Sequence, residues 1–431
     1  MSRPIIKLGM LGLGTVGSSV VKVLQANASD IASRAGAELA IVKILVRDPD
    51  RPRPVQLPRD ILTTNPEDIL DNPEIQVVVE LVGGLEPARG FILRALRNGK
   101  HVVTANKEVM AEYGKEIFHE AESHNCSVYF EASVGGGIPI IRALKESLGA
   151  NRIRSILGII NGTTNYILTR MSHDGRDFAG ALHEAREKGF AEADPSADIE
   201  GHDAARKLAI LASIAFNARV QGHDVSVEGI SRITPEDLEY ARELGYVVKL
   251  LAIAKEEGGE LEVRVHPTFI PLQHPLAYVN DQFNAIWVYG DAVGETMFYG
   301  HGAGGLPTAS AVLGDLIAVT RNILHVEPGL NCTCFHQYPI KPLSEITSKF
   351  YVRLEVADQP GVLAQVAGIL GNEGVSLYSV IQKRRRGDRA EIVFLTHEVK
   401  EKNLRTAMER IEQLACTHRI TNIIHVEGGA A

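Results

Sequence analysis

IIKLGMLGLGTVGSSVVKVL, residues 5–24, opens as a short apolar strand and passes directly into a helical pattern. At the junction lies a G-x-G-x-x-G spacing made by Gly12, Gly14 and Gly17. Gly12 permits the tight turn, Gly14 lets the backbone approach a pyrophosphate, and Gly17 allows the helix to pack closely on the strand. The phosphates then lie at the helix N-terminus, where unpaired N–H groups and the helix dipole favour an anion. Set between a strand and a helix, the spacing points to a dinucleotide-binding α/β domain, with Leu13, Thr15 and Val16 completing the loop.

The segments that follow keep the same alternation. AELAIVKILVR reads as a second strand ending at Arg47, with Asp48, Arg51 and Arg53 just beyond. An acidic residue at this strand end holds a ribose 2′-hydroxyl, whereas an arginine pairs with a 2′-phosphate; Arg47 tilts the expectation towards NADP, and Asp48 keeps NAD open. IQVVVELVGG suits a buried parallel strand, PARGFILRALRNG a helix, KHVVTANK a strand with its exit loop, and SVYFEAS a further strand near residue 133. Residues 1–135 therefore read as a doubly wound, Rossmann-type domain.

Further on, IPIIRALKESLG reads as a helix and RIRSILGIING as a strand, with helices at TTNYILTRM, FAGALHEAREKG and DAARKLAILASIAF. Four strands follow, at 246–257, 261–270, 284–293 and 295–304, so residues 136–305 suit an α+β domain with a mixed sheet. LPTASAVLGDLIAVTRNIL (306–324) is an amphipathic helix expected to complete the first domain. Residues 325–348 carry Pro328, Pro339 and Pro342 and read as a linker. From Lys349 to Glu427 the order strand, helix, strand, strand, helix, strand gives a ferredoxin-like βαββαβ unit, with QKRRRGDR at 382–389 as a solvated hairpin turn.

Composition narrows the function class. The formal charge is −8 without a long basic block, which argues against a nucleic-acid or anionic-membrane surface. Neither a signal-peptide h-region nor a long uninterrupted apolar run is present, so the expected location is cytoplasmic. Four cysteines are too few for a disulfide framework in 431 residues, and the CTC at 332–334, without clustered histidines, reads as ordinary free thiols.

With these pieces assembled, the chain resembles the homoserine dehydrogenases of the single-function kind that end in an ACT domain. The resemblance rests on GLGTVG, TANK (104–107), EASVGGGIPI (131–140), NGTTNYIL (161–168), GFAEADPSADIEGHDAARKLAIL (189–211) and GHGAGGLPTASAV (300–312), in family order over nearly the whole length. It carries the expectation that no aspartokinase-like portion precedes the dinucleotide domain. It implies oxidation of L-homoserine to L-aspartate 4-semialdehyde, and the reverse reduction, with a nicotinamide cofactor. Residue by residue, it implies that Lys207 is the acid–base group and Lys107 a second lysine near the nicotinamide. Glu192 and Asp203 hold the substrate's amino end, with Asp198 in support. Thr104, Gly189, Gly302 and Gly304 join the cofactor contacts.

The residues offer a physical reason for that assignment. On a helix, Asp203 and Lys207 share a face, as any i,i+4 ion pair does. Upstream, Glu192, Asp194, Asp198 and Glu200 form an acidic run that repels itself unless cations meet it, and an amino-acid substrate supplies an ammonium. The resemblance also implies a monovalent cation, Na⁺ or K⁺, at backbone carbonyls of Glu131, Val134, Gly136 and Ile138; a tight turn with no ion is the plainer reading of the same glycines. Thr163 and Thr164 read first as N-caps of their helix.

At the C-terminus, DQPGVLAQVAGILG resembles the opening of an ACT domain, which implies paired domains and an amino-acid effector, threonine, at Asp358, Pro360, Gly361 and Asn372. A dimerising module that binds nothing is the alternative. A homodimer or homotetramer is the family expectation. Three rival functions are aspartate-semialdehyde dehydrogenase, a silent amino-acid sensor, and an oxidoreductase for another amino alcohol. The first needs an activated cysteine nucleophile that none of the four provides. The second sits poorly with Lys107, Asp203 and Lys207 standing together, and the third shares the same charge logic.

Overall fold

A computed structural model describes residues 3–325, 329 and 331–428. Residues 326–328 and 330 of the expected linker lie outside the described residues. In chain order, β1 (Ile5–Leu11), α1 (Thr15–Ala26), α2 (Ala28–Ala35), β2 (Glu38–Leu45), β3 (Leu62–Thr63), α3 (Glu67–Leu70), β4 (Val77–Glu80), α4 (Ala88–Arg97), β5 (His101–Thr104), α5 (Lys107–Ser123) and β6 (Val128–Tyr129) come first. Then follow β7 (Ile153–Ile159), α6 (Gly162–Asp174), α7 (Phe178–Glu187), α8 (Ser196–Ile199), α9 (His202–Ala215), β8 (Ser226–Val227), α10 (Pro235–Glu243), β9 (Tyr246–Glu257), β10 (Glu260–Pro271), β11 (Phe283–Gly290), β12 (Gly294–His301) and α11 (Gly305–His325). The last stretch holds β13 (Thr347–Ala357), α12 (Val362–Asn372), β14 (Leu377–Arg386), β15 (Arg389–Thr396), the short β16 (Val399–Lys400), α13 (Glu401–Glu412) and β17 (Thr417–Val426).

The chain separates into two units, one made of Met1–Ile156, Arg206–Asp224 and Phe283–Gln337, the other of Leu157–Ala205, Val225–Gln282 and Tyr338–Ala431. In the first, six parallel strands take the order β3-β2-β1-β4-β5-β6. This is the doubly wound order, whose direction reverses between β1 and β4, beside the Gly12 turn. Continuous apolar runs make the strands because both sheet faces are covered: Leu8, Val77, Val78, Val102 and Val103 are fully buried. On α4 the buried Ala88, Ile92, Ala95 and Leu96 recur at helical spacing. Near the end of this unit, α11 lays Ala309, Val312, Leu316 and Val319 into the same core as Leu8 and Val20.

Two sequence expectations change here. The second strand stops at Leu45, two residues short of Arg47. IPIIRALKESLG is not a regular α-helix: it starts winding as α at 141–142 and continues as a π-helix over Ala143–Ser147, where Leu148 N–H reaches back to the Ala143 carbonyl. The cause is long-range, because the Glu131 carboxylate takes the N–H groups of Ile141 and Arg142, both at 2.8 Å, and fixes where winding begins.

In the second unit β9 and β10 form a long antiparallel hairpin, and β10 continues through β17, β13 and β15 to β14. The βαββαβ unit is therefore not a detached module, since its last strand pairs in parallel with β10, Thr268 opposite His425. Its own core is built from Val352, Leu354, Val366, Leu370, Phe394, Leu404 and Ile411. At the seam the guanidinium of Arg264, fully buried, meets Glu262 at 2.6 Å and also Glu427, His266 and His425. Residues 338–341 are pinned to the start of β10, with Leu261 N–H donating to the Pro339 carbonyl and Lys341 N–H to the Leu261 carbonyl.

Candidate functional site

In the first unit the glycine loop has the geometry its spacing predicts. Gly12 takes a φ of 102°, and a Cβ there would lie 2.8 Å from the Leu81 carbonyl oxygen. A Cβ on Gly17 would lie 2.5 Å from the Gly12 carbonyl oxygen, so α1 can approach β1 only without one. Beside Gly14 there is open space, and no side chain caps the N-terminus of α1. Leu13 is buried beneath the loop, whereas Thr15 opens α1. Val16 packs against the domain core.

An open groove runs along this face, lined by Gly14, Ser18, Lys22, Arg51 and Arg53. Arg53 folds back onto the carbonyls of Asp48, Pro49 and Arg51, at 2.6, 3.3 and 2.9 Å, and so builds the loop after β2. The Asp48 carboxylate accepts from Asp50 N–H at 2.9 Å within the same turn. Arg47, the arginine singled out from sequence, is exposed at the strand end and is not in the groove wall; Arg51 and Lys22 are.

Across the switch point, a group that sequence reasoning missed organises the next loops. Glu80 ends β4 and is fully buried. Its carboxylate accepts from the N–H groups of Val82 and Gly83, at 2.7 and 3.2 Å, and from the Thr104 hydroxyl at 2.6 Å. Thr104 in turn accepts from Asn106 N–H, while the Asn106 amide donates to the Gly84 carbonyl and its oxygen caps α5 by accepting from Val109 N–H. Lys107 is thereby held as the first residue of α5, half-buried at the carboxyl end of β5. The Thr104 hydroxyl is spent on this network.

The turn 131–140 is equally built. The Glu131 carboxylate is occupied by the two N–H groups of Ile141 and Arg142, and burial raises its pKa against those bonds. Asp315 on α11 accepts from Glu131 N–H at 2.8 Å and from Arg142 at 3.1 Å, and burial pushes it up to about 8. Val134 and Ile138 are buried, and the Ile138 carbonyl accepts from Ile140 N–H at 3.0 Å. Gly136, with a φ of 56°, lies against Gly302: a Cβ on it would come within 2.5 Å of the Gly302 carbonyl carbon. On its other side Gly302 abuts Asn284, a buried amide with neither polar atom hydrogen-bonded. Gly304, with a φ of 119°, completes the approach to α11.

The acidic run lies in the second unit, where Asn161 gathers part of it. The Asn161 amide nitrogen donates to Asp198 at 2.7 Å and to Asp203 at 2.8 Å, while its oxygen accepts from Thr164 N–H at 2.9 Å. Asn161, and not Thr163 or Thr164, is thus the N-cap of α6: it alone has the extended backbone of a cap, and the threonines lie inside the helix. Thr163 instead donates to the Phe190 carbonyl at 2.7 Å and to Asp198 at 3.2 Å. Asp203 is buried at the start of α9; Lys207, four residues on, stands one helical turn along the same face and is half-buried. Glu192 is exposed and is not among the groups bonded to Asn161. Gly189, with a φ of 75°, provides the left-handed residue that ends the helical turn after α7.

In the C-terminal βαββαβ unit, Gly361 takes a φ of 90° as the residue before α12, and Pro360 precedes it. Asp358 pairs with Arg385 at 2.6 Å, and Asn372 closes the helix. The hairpin at 382–389 turns through Gly387 at a φ of 68°.

The chain has close relatives. Family models match three parts of the chain: "Homoserine dehydrogenase, NAD binding domain" over residues 12–131, "Homoserine dehydrogenase" over 139–317 and "ACT domain" over 350–416. The chain is 50% identical over 433 residues to a homoserine dehydrogenase of a Synechocystis species, covering 98% of this chain and 99% of that one. It matches the crystal structure of a homoserine dehydrogenase from Thiobacillus denitrificans with a TM-score of 0.94 at 46% identity, over 99% of each chain. A more distant match is a hyperthermophilic archaeal homoserine dehydrogenase in complex with NADPH, with a TM-score of 0.63 and 26% identity, over 76% of this chain and all of that one. The chain is therefore an oxidoreductase with an NAD-binding domain and an ACT domain, a member of the homoserine dehydrogenase family.

Proposed function

We propose that the chain interconverts L-homoserine and L-aspartate 4-semialdehyde on the route to threonine, methionine and isoleucine, with NADP(H) preferred over NAD(H). The observation that carries the site assignment is the Asn161 amide holding Asp198 and Asp203 together, one helical turn before Lys207. Two carboxylates at one amide concentrate negative potential, which suits the ammonium of an amino-acid substrate. In this reading Asp203 and Glu192 anchor that ammonium and Asp198 supports Asp203. Lys207 passes a proton to and from the oxygen that alternates between hydroxyl and carbonyl, and Lys107 orients the same oxygen.

A nicotinamide cofactor, when bound, accepts or returns the hydride. The groove beside Gly14 fits it: the space is open, the helix N-terminus is uncapped, and Lys22 and Arg51 supply cations suited to a 2′-phosphate. The archaeal relative's complex with NADPH supports the same preference. A weakly held Na⁺ or K⁺ at the carbonyls of Glu131, Val134, Gly136 and Ile138 belongs to the same reading, since carbonyl oxygens suit a hard ion. Threonine is the proposed effector at the Asp358–Gly361 loop and Asn372, in a cytoplasmic homodimer or homotetramer. Among the described residues no helix is long and apolar enough to cross a membrane.

The test is Lys207→Ala. Loss of the acid–base group is expected to lower kcat for L-homoserine oxidation by about 10²–10⁴-fold, with NADPH binding unchanged by fluorescence titration. Near-full turnover in the folded variant would remove Lys207 from that role.

A further inference from the structure

Cys332 and Cys334 take no part in the reaction above, yet their surroundings in the first unit set them apart. Cys126, by contrast, is buried beside the Leu96 carbonyl, and burial pushes its thiol up to about 11. Arg219 directs its guanidinium at the Cys332 sulfur at 3.5 Å. Lys145 donates to the Asn331 carbonyl at 2.6 Å, with its ammonium 5.2 Å from the centre of the Phe118 ring. A small cavity of about 30 Å³ is lined by both cysteines and both cations, with Met110 of α5 and Ile214 of α9 in its wall. Both cysteines are half-buried rather than sealed.

The electrostatics follow from that placement. The neighbouring Cys334 thiol, with Arg219 and Lys145 near, holds Cys332 well below the usual thiol range. Cys334 moves up in exchange, as expected when two thiols share one proton. Burial lowers the pKa of Lys145, so Arg219, charged at every working pH, is the cation that matters more. A single intervening residue, Thr333, allows the Cα separation of roughly 4.4–6.8 Å that a disulfide needs.

We propose that Cys332 and Cys334 form a peroxide-reactive dithiol that closes reversibly to an intrachain disulfide. The Cys332 thiolate attacks one oxygen of hydrogen peroxide: the S–O bond forms, the O–O bond breaks, and the departing hydroxide takes up the proton that Cys332 released and leaves as water. Cys334 then attacks the sulfenic sulfur. The S–S bond forms, the S–O bond breaks, and the Cys334 proton leaves with the hydroxide as a second water. The two thiols lose two electrons and the peroxide gains them.

The test uses the full-length protein. At pH 6.5, iodoacetamide is expected to alkylate Cys332 at least tenfold faster than Cys416, the other half-buried cysteine, with a rate that is flat above about pH 6. Hydrogen peroxide is expected to remove two hydrogens from the peptide carrying both residues, with dithiothreitol restoring them. In Cys334→Ser the product should stop at a sulfenic acid on Cys332 that dimedone traps. Arg219→Gln should slow Cys332 alkylation at pH 6.5 and move the start of its plateau to higher pH. The proposal is overturned if Cys332 reacts no faster than Cys416 with a rate still climbing to pH 9, or if peroxide leaves the peptide mass unchanged.

Discussion

Lys249 is 3% exposed, and its ammonium donates to the side-chain oxygens of Asn165 and Asn280, at 3.1 Å each, and to the Val279 carbonyl. Burial pulls it down to about 7, with Asp281 opposing weakly. Between pH 7 and about 10 the unfolded chain therefore keeps a proton that the native chain has released, so this residue makes stability rise with pH, by at most about 1.4 kcal/mol per unit. Lys249→Met removes that dependence. Its unfolding free energy relative to the wild type should fall steadily from pH 7 to pH 9 in denaturant melts, and a flat difference would show that Lys249 stays charged when folded. Single residues were unevenly legible in the sequence. Asp203 and Lys207 could be paired on one face because helical spacing is local. Asn161 was passed over for its threonine neighbours, although an asparagine before a helical run is itself a capping signal. Glu80 lies inside IQVVVELVGG, and nothing in the sequence records that its carboxylate gathers a hydroxyl 24 residues away.

At the scale of elements, the proposed preference for NADP(H) is assigned to the loop after β2. Arg53 is committed to the carbonyls of its own turn, whereas Arg51 is exposed on the groove wall. Arg51→Ala is expected to raise KM for NADP⁺ about tenfold, equivalent to ~1.4 kcal/mol, and to leave KM for NAD⁺ within twofold; steady-state rates with each cofactor check it. Equal effects on both would place Arg51 away from the 2′-phosphate. The strands and glycine turn were readable because apolar runs and the G-x-G-x-x-G spacing are local properties. The start of winding at 141 was not, because the Glu131 carboxylate that takes Ile141 N–H lies 10 residues upstream, in a different element.

On the whole-molecule scale, the second unit carries one sheet from β9 through β17 to β14, and Arg264 at its seam is fully buried. Arg264 balances Glu262 and Glu427 there, while burial and the nearby guanidinium keep His266 and His425 well below the usual histidine range. Arg264→Met leaves the buried Glu262 without its cation, while Glu427 keeps Lys255 at 2.8 Å, and should destabilise the protein by about 3 kcal/mol, read as a lower midpoint in chemical denaturation. A loss under 1 kcal/mol would mean that the seam is open to water. The fold of each segment was legible, but the parallel pairing of Thr268 with His425 joins strands more than 150 residues apart, and LEVRVHPTFI carries no mark of it. The family assignment as a whole meets its most direct test in initial rates of L-homoserine oxidation by the full-length protein, followed as NAD(P)H absorbance with NADP⁺ and with NAD⁺. The account predicts turnover with both and a higher kcat/KM with NADP⁺; folded protein that turns over L-homoserine with neither cofactor would contradict it.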